Sequence, residues 1–455
     1  MLKRIGDNGN SDINLDKVCV KIGDASFSAL FPGGLEYSAP VRGVWNIVHV
    51  GMLMPEAHEV FVCGSSCLRG VVLTAAEMNA MDRFSTVNIR EENLFDGSLE
   101  DLIVDGVSDV IEKLSPKPKV IQVYTNCIHH FAGIDFDNVY DRLEERNPDT
   151  MFMRCYMNPI MRKSGLAPDP LMRKQLYSLL KKDEKDEKLI ALIGNDYRLS
   201  DDSELRELIS KSDYRLIEIH DTKTVKEYQQ MAKASHYITT YLPAVPAGQS
   251  IVARIGGTHH HLPISYDYEE IRAELKEIEK ILFNDNKDHI DYAAKEAECE
   301  AYLKKALAAV GSMPIAIDYT VAPRPLSIAK LLLDRGFKVE RVYADAFTKE
   351  EESAFTYLKE NYPELEIIAV SRYEMRYVKE GTPDKYLAIG QKAAYFSNTR
   401  HFVNEILGSG HYGYEAIKAL AQDMITAVNT LSDMENIVFI KGWGCEESVC
   451  GRQQQ

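Results

Sequence analysis

The sequence predicts an α/β protein whose parallel sheets form three doubly wound, Rossmann-like domains. Short apolar runs alternate with helical patterns through most of the chain, which is the order expected of strand–helix–strand units. The length of 455 residues is more than one ordinary core accommodates. A hydrophobic fraction of 45% and a charged fraction of 27% are those of a globular chain.

The first predicted domain, residues 1–185, contains apolar runs with the composition of buried strands. They are EVFVC at 59–63, KVIQVYTNC at 119–127 and TMFMRCYM at 150–157. Helical patterns at 99–114 and 138–147 lie between them. The charged run KKDEKDEK at 181–188 marks the domain boundary, although a solvated helix end has the same composition.

The second predicted domain, residues 186–311, repeats the alternation and ends in a long charged helical stretch from about Tyr268 to Ala309. The third, residues 312–455, opens with the strand pattern PIAIDYT and the helical pattern RPLSIAKLLLDRGF. It closes with the helix YEAIKALAQDMITAVNTL and the strand NIVFIKG. The chain has no short-period repeat, so a solenoid is not expected.

Composition excludes several classes of partner. The net charge of −16 argues against nucleic acid, because phosphate backbones require clustered Lys and Arg. No apolar run is long enough to span a bilayer, and the first residues lack the apolar segment of a secretory signal. We therefore expect a cytoplasmic protein without a membrane partner.

Two close cysteine pairs, Cys63/Cys67 and Cys445/Cys450, stand out among the eight cysteines. In a reducing compartment this spacing indicates metal binding more than a disulfide framework. Cys63 and Cys127 each close a predicted strand, and parallel sheets bind ligands outside the carboxyl ends of their strands. Buried packing residues are the alternative. That alternative is our expectation for the other three: Cys19, Cys155 and Cys299.

The spacing of these cysteines distinguishes between metals. The residues GSS between Cys63 and Cys67 are small enough for a close backbone approach, and their amides can point at cluster sulfurs. A structural zinc site needs two further ligands at comparable spacing, and none follows nearby. A site that takes a ligand from afar, or from another chain, fits an iron–sulfur cluster better. Cys445 and Cys450 remain a candidate ligand pair, although the acidic neighbours Glu446 and Glu447 oppose thiolate formation.

Several of these segments together resemble the nitrogenase component 1 family, which includes nitrogenase MoFe protein subunits and dark-operative protochlorophyllide reductase. YTNCIHHFAGIDFDNV is similar to the family's strand-ending cluster cysteine, which maps onto Cys127. CGSSC resembles the family's earlier glycine–cysteine ligand, with either Cys63 or Cys67 as the match. The resemblance implies three doubly wound domains of the nitrogenase component 1 type. It also implies an iron–sulfur cluster, of [4Fe–4S] or P-cluster-like type, bound by Cys63, Cys67 and Cys127.

The third domain carries the same resemblance. IDYTVAPRPLSIAKLLLDRGFKV is similar to the family's strand, Arg-Pro turn and helix, and Arg324 matches the arginine that faces the catalytic cofactor in nitrogenase. LGSGHYGYEAIKALAQDM resembles a late glycine/tyrosine loop and its helix, and His401 lies near the place of the cofactor-binding histidine.

Two departures from the family pattern concern the cofactors. The family's first cluster cysteine should fall near Leu35, where none is present, so Glu36 becomes a candidate oxygen ligand with an ordinary surface glutamate as the alternative. No cysteine lies between Cys155 and Cys299 to anchor a nitrogenase-type cofactor. A second metallocofactor or a tetrapyrrole substrate in the interdomain cleft therefore stays open.

The resemblance implies a reductase that receives low-potential electrons from a separate ATP-hydrolysing iron protein. The chain has no G-x-x-x-x-G-K-[ST] loop, so the ATP-driven step belongs to that partner. Arg324 and the histidines of GGTHHHLPISY, His260 above all, are expected to face the substrate cleft and supply charge and protons. For the histidines, the alternative is a polar interdomain loop.

The implied oligomer is a homodimer or a heterotetramer with a related chain. Two other functions remain open: a non-catalytic scaffold or carrier for metallocluster assembly, and a ligand-binding α/β protein whose thiols are structural. The lone GSGHYG at 408–413 lacks the downstream acidic residue of a dinucleotide site, so we do not expect one there.

Overall fold

A computed structural model of the chain describes residues 2–4, 17–39, 41, 46–158, 165–283, 285 and 287–433. The predicted strand NIVFIKG and the Cys445/Cys450 pair lie outside these residues. Within them, no helix is both long and apolar enough to cross a membrane.

In chain order the strands are β1 (Leu2–Arg4), β2 (Cys19–Lys21), β3 (Ala57–Cys63), β4 (Phe84–Asn88), β5 (Val120–Asn126), β6 (Met151–Met157), β7 (Asp186–Leu192), β8 (Arg215–Glu218), β9 (Ala234–Thr239), β10 (Thr258–His261), β11 (Ile315–Asp318), β12 (Val339–Tyr343), β13 (Glu366–Ile368), β14 (Val378–Glu380), β15 (Leu387–Ile389) and β16 (Phe402–Val403). The helices are α1 (Ile47–Gly51), α2 (Ser65–Glu77), α3 (Glu91–Phe95), α4 (Leu99–Lys113), α5 (Cys127–Ala132), α6 (Phe136–Arg146), α7 (Pro168–Leu176), α8 (Glu204–Ser210), α9 (Val225–Gln229), α10 (Val245–Ile255), α11 (Tyr268–Leu282), α12 (Tyr292–Val310), α13 (Pro325–Leu333), α14 (Glu352–Asn361), α15 (Gln391–Phe396) and α16 (Tyr414–Asn429).

The first sheet has the strand order β4-β3-β5-β6, and all of its pairings are parallel. β3 and β5 are buried along their whole length, which is why both read as continuous apolar runs in the sequence. The predicted strands at 59–63, 119–127 and 150–157 are thus confirmed. β4 was not predicted, because its alternation of buried and exposed residues is short and its sequence, FSTVN, is polar.

The second sheet has the order β10-β9-β7-β8 and is also entirely parallel. Both sheets lie in one compact unit, formed by the described residues of Trp45–Arg198 and Tyr214–Leu262. The fully buried Arg173 of α7 fastens this helix to the end of β7. Its guanidinium donates to the Gly194 carbonyl at 2.5 Å and pairs with Asp196 at 2.8 Å. Removing one partner of such a buried pair costs about 3–5 kcal/mol.

The third sheet belongs to the other compact unit, formed by the described residues of Met1–Val44, Leu199–Asp213 and Pro263–Ile440. Its order is β16-β15-β11-β12-β13-β2, with only the edge strand β2 antiparallel. The N-terminal segment therefore supplies a strand to this sheet, whereas the sequence placed it with the first domain. The boundaries after residues 185 and 311 stay a prediction.

The long charged stretch from Tyr268 to Ala309 forms two helices, α11 and α12. α11 ends at Leu282, and Asp291 starts α12 by accepting a hydrogen bond from the Ala294 amide at 3.0 Å. The charged helical pattern in the sequence gives no signal for this break, because both helices keep a polar face exposed. The predicted fold class, α/β with parallel sheets, is confirmed.

Candidate functional site

The carboxyl edge of the first sheet brings the predicted thiols onto two adjacent turns. β3 pairs in parallel with β5, with Phe61 opposite Tyr124, so Cys63 ends its strand beside the end of β5. Neighbouring strands lie about 4.8 Å apart. α2 begins at Ser65 and carries Cys67 in its first turn, while α5 begins directly at Cys127.

The three thiols differ in exposure. Cys63 is fully buried, and burial together with the nearby Cys67 raises the pKa of its thiol to about 12. Cys67 is exposed and Cys127 is half-buried. The thiolate is the form of cysteine that binds a metal. The accessibility of Cys67 and Cys127 therefore favours them as ligands, whereas the burial of Cys63 favours a packing role. The described cysteines, Cys63 included, are all free thiols.

The position of Cys63 in strand β3 explains how its buried thiol packs. Cys63 shares a core cluster with Phe61 and Tyr124, whose rings stack with centroids 4.1 Å apart. In a strand, alternate residues face the same side of the sheet. The sulfur of Cys63 therefore extends a row of apolar and aromatic side chains on that face.

Two buried polar atoms beside Cys127 lack partners among the described residues. They are Nδ2 of Asn126 and Nε2 of His129. The backbone N–H of Asn126 donates to Nδ1 of His129 at 3.1 Å, which favours the tautomer with its proton on Nε2. Burial lowers the pKa of His129 to about 4, and the ring is neutral. Two orphaned donors next to a thiol fit a group with sulfur acceptors, as in an iron–sulfur cluster.

The thiol site is incomplete by itself. Across the ranges that the structure describes, no three His, Cys, Asp or Glu side chains are arranged to hold a metal ion. An iron–sulfur cluster ordinarily takes four protein ligands. Cys67 and Cys127 could supply only part of such a ligand set, and the assignment of Cys63, Cys67 and Cys127 as cluster ligands stays a prediction.

The same cap precedes α1 and α5. Asn46 accepts from the Val48 amide at 3.0 Å, and Asn126 accepts from the Ile128 amide at 3.2 Å. The backbone N–H of each asparagine then donates to Nδ1 of the histidine three residues later. The two hydrogen bonds together form a capping box. The sequence signal is the repeated pattern NIVH and NCIH, which the sequence analysis did not recognise.

Glu36, the predicted oxygen ligand, lies in the other compact unit. Its side chain is exposed, and its backbone bridges that of Arg372. The described residues supply no further sign of ligation there, and the assignment stays a prediction.

Arg324 is the N-cap residue of α13, in the loop that follows β11, and is 3% exposed. Its guanidinium pairs with Glu270 at 2.5 Å and donates to the Glu350 carbonyl at 2.9 Å. Burial opposes its charge, but the hydrogen bond and charge of Glu270 raise its pKa. Nε has no hydrogen-bond partner among the described residues. The buried Nε–H group of this arginine thus has no acceptor among these residues.

Arg324 lies in the wall of a cavity of about 960 Å³ within its unit. The other basic groups of this wall have carboxylate partners: Arg272 with Glu296, Lys330 with Asp267, and Arg335 with Glu300. The wall contains six acidic and four basic side chains, so the cavity is polar with an excess of negative charge.

The histidines at 259–261 lie on a strand, which corrects the alternative of a loop. β10 is the edge strand of the second sheet and pairs with β9. His259 and His261 both contact Thr239 Oγ1, at 2.9 and 3.0 Å, while Nε2 of His260 is 3.1 Å from Nδ1 of His236 on the opposite face. Strand alternation divides them between the two faces. The catalytic role of His260 stays a prediction.

His401 precedes β16, and its Nδ1 donates to the Ala427 carbonyl at 2.9 Å. This bond fastens α16 to the sheet, which is a structural role. A cofactor contact for His401 stays a prediction.

Lys392, which the sequence analysis missed, is a charged group at the carboxyl edge of the third sheet. It is 7% exposed and forms no ion pair within the described part of the chain. Burial lowers its pKa, although Asp318 and Asp345 oppose the shift. The signal available in the sequence was a glycine and a lysine directly after the strand LAI.

Gly390, two residues before this lysine, packs closely against the Asp318 carboxylate. Its φ is +106°, and a Cβ there would lie 2.5 Å from the Asp318 carboxyl carbon. Asp318 accepts hydrogen bonds from the Thr320 and Ala393 amides at 2.6 and 2.5 Å. A side chain at Gly390 would therefore displace a buried carboxylate that holds two turns together.

The comparisons with known proteins agree with this architecture. Residues 49–429 match the family model described as nitrogenase component 1 type oxidoreductase. The solved structure "Nitrogenase Cp1 at pH 6.5" has 13% identity and a TM-score of 0.63, over 88% of this chain and 94% of that one. "Nitrogenase Cp1 at pH 5" has 11% identity and a TM-score of 0.57, over 90% and 94%. These identities show the fold alone, and no curated protein matches the sequence. On the family match, the chain belongs to the nitrogenase component 1 type oxidoreductases.

Proposed function

We propose that this chain is the catalytic component of a nitrogenase-like, two-component reductase of the cytoplasm. An ATP-hydrolysing iron protein would deliver low-potential electrons, an iron–sulfur cluster would pass them on, and a substrate would be reduced near Arg324. The observation that carries the proposal is that Cys67 and Cys127 lie in the first turns of two helices that follow adjacent strands of one sheet, in a chain whose family consists of oxidoreductases.

The residues around these cysteines support a cluster. Cys67 and Cys127 would hold it, and the orphaned donors of Asn126 and His129 would hydrogen-bond to its sulfurs. Such donors raise the reduction potential of a cluster by stabilising its more negative state. When bound, the cluster supplies one-electron transfer at low potential.

Exposed apolar side chains at the same edge support a partner surface. Leu94 and Phe95 on α3 are 46% and 88% exposed, and Phe131 on α5 is 77% exposed. α3 and α5 follow β4 and β5, so these side chains surround the end of the sheet that carries the thiols. Large exposed apolar groups mark interaction sites. A second subunit or the iron protein would cover them, as a homodimer or heterotetramer requires.

At the third sheet, Arg324 and Lys392 would position a substrate with negative charge. Arg324 retains an unpaired buried N–H, and Lys392 is a buried ammonium at the ends of the strands. Charge that develops on a substrate during reduction is stabilised by such preorganised groups. The substrate itself, a small molecule or a tetrapyrrole, is not identified by these groups.

Anaerobic reconstitution with iron and sulfide tests the cluster. We expect Cys127→Ala to lose the cluster absorbance and bound iron, whereas Cys299→Ala, at a buried cysteine that donates to the Tyr414 carbonyl at 3.3 Å, keeps both. Full iron retention in Cys127→Ala would contradict the ligand assignment. Substrate turnover with an ATP-hydrolysing iron protein then tests the reductase.

A scaffold or carrier for metallocluster assembly is the second candidate function. The exposure of Cys67 favours it, because an accessible ligand suits cluster transfer. In that case the protein loaded with iron would transfer it to an acceptor protein that lacks iron, even in the presence of an iron chelator. It would reduce no substrate.

A further inference from the structure

The cavity beside Arg324 has carboxylate oxygens in its wall that accept no hydrogen bond from the described residues. In Glu300, Oε1 accepts from Tyr268 Oη and from Arg335 Nε, both at 2.9 Å, and Oε2 accepts from neither. Glu270 and Glu296 follow the same pattern. Their donors are Ser265 and Arg324 to Glu270 Oε2, and Arg272 and Tyr414 to Glu296 Oε1. Each carboxylate oxygen is a hydrogen-bond acceptor, so one acceptor on each of the three glutamates stays available.

Glu269 adds a further carboxylate to this wall. It lies in the first turn of α11, is exposed, and forms neither an ion pair nor a side-chain hydrogen bond within the described ranges. The four basic groups of the wall are each paired with a carboxylate, whereas the wall contains six carboxylates. The uncompensated charge of the cavity is therefore negative, and it attracts a cation.

Two tyrosine rings of the wall already hold cations against their faces. The guanidinium carbon of Arg335 lies 4.9 Å from the ring centroid of Tyr268, and Nζ of Lys330 lies 4.8 Å from that of Tyr357. The face of an aromatic ring attracts ammonium and guanidinium groups. The wall thus stabilises organic cations in two ways, through carboxylates and through ring faces, and both ways are open to the ammonium groups of a ligand.

Arg324 adds a requirement of the opposite kind. Two of its nitrogens donate to Glu270 and to the Glu350 carbonyl, while its buried Nε–H has no acceptor in the described part of the chain. A buried donor without an acceptor costs about 1–3 kcal/mol. Such a group in a cavity wall indicates a ligand that carries an acceptor. A carbonyl oxygen of the ligand would satisfy it, which a simple diamine cannot do.

We propose that this cavity binds an organic cation that has two ammonium groups and a carbonyl oxygen, which is the chemistry of a basic amino acid derivative. The ammonium groups would lie among Glu269 and the available oxygens of Glu296 and Glu300, and the carbonyl oxygen would accept from Arg324 Nε. The volume of about 960 Å³ is sufficient, because small-molecule sites measure about 300–1,000 Å³. Binding requires neither a cluster nor electrons, so the site is independent of the proposed function.

Calorimetric titration of the full chain with three small probes tests the proposal. The pH is about 6.5, where the α-amine of L-lysinamide and both amines of 1,5-diaminopentane are protonated. We expect L-lysinamide to bind with a Kd below about 1 mM. 1,5-Diaminopentane has the same charge but no carbonyl, and should bind about tenfold more weakly because it leaves Arg324 Nε without an acceptor. Pentanamide, which has the carbonyl but no charge, should not bind. A lack of L-lysinamide binding, or equal affinity for any two of the probes, would overturn the proposal.

Variants of an exposed glutamate then locate the site. Glu269→Lys should weaken L-lysinamide binding about tenfold and Glu269→Gln about threefold, because each removes negative charge from the wall without removing a contact of the folded protein. Glu360→Lys is the matched control, since Glu360 is an exposed residue of α14 that lies outside this wall. It should leave the affinity unchanged. Equal losses in Glu269→Lys and Glu360→Lys would show attraction by the overall charge of the protein and would overturn the site.

Discussion

The candidate site residues of this protein lie at the carboxyl edges of two sheets, and the two edges differ in what they bury. At the first sheet, the thiol of Cys67 is exposed, that of Cys127 is half-buried, and the nearby ring of His129 is neutral. At the third sheet, the side chains of Arg324, Lys392 and Glu405 are charged or titratable and almost fully buried. This difference fits our proposal that one edge holds an electron carrier that a partner reaches. The other suits a shielded place where charge is controlled.

The largest expected effect concerns Cys63 and Cys67, the two cysteines at the turn between β3 and α2. We expect Cys67→Ala to lose nearly all cluster absorbance after anaerobic reconstitution, because Cys67 is the exposed member of the pair. Cys63→Ala should keep the cluster and lower the free energy of unfolding by about 1–2 kcal/mol, as removal of a small buried group does. The reverse pattern would show that the buried thiol is the ligand and that the turn rearranges on loading.

The next largest effect tests how closely the residues pack at the carboxyl edge of the third sheet. Gly390→Ala should lower the free energy of unfolding by about 3 kcal/mol or more in denaturant titrations, because it combines a positive φ with a Cβ in contact with the Asp318 carboxylate. Gly336→Ala is the control, since Gly336 also has a positive φ, +84°, but open space around it. Its cost should be near 1 kcal/mol. Equal losses in both variants would mean that the Asp318 contact adds nothing.

The smallest effect concerns the buried ammonium. Burial lowers the pKa of Lys392, so the folded state favours its neutral form. The charge therefore weakens folding at neutral pH, and its cost disappears as pH rises to the ordinary pKa of lysine. Lys392→Met should raise the free energy of unfolding by about 1 kcal/mol at neutral pH, whereas Lys330→Met, which loses the ion pair with Asp267 at 2.8 Å, should lower it slightly. A destabilised Lys392→Met would show that Asp318 and Asp345 more than compensate the burial.

Sequence reasoning succeeded where the signal was local. β3 and β5 are fully buried strands and β6 is partly buried, and all three have apolar runs that predict a strand. The strands β4 and β10 were missed because most of their residues are polar, and β16 was missed because it has only two residues. The histidine-rich β10 illustrates the reason: its strand conformation comes from pairing with β9, a partner that is distant in the sequence.

The sequence by itself determined the α/β class, the two strand-ending thiol turns and the resemblance that the family match confirms. These features depend on apolar periodicity and on residues that are close neighbours in the chain. Only the tertiary structure decided that Cys63 is buried while Cys67 is exposed, that the N-terminal strand joins the third sheet, and that Lys392 and Glu405 are shielded from water. Burial depends on which distant segments cover a side chain, and a cysteine, lysine or glutamate reads the same in a sequence whether it is covered or not.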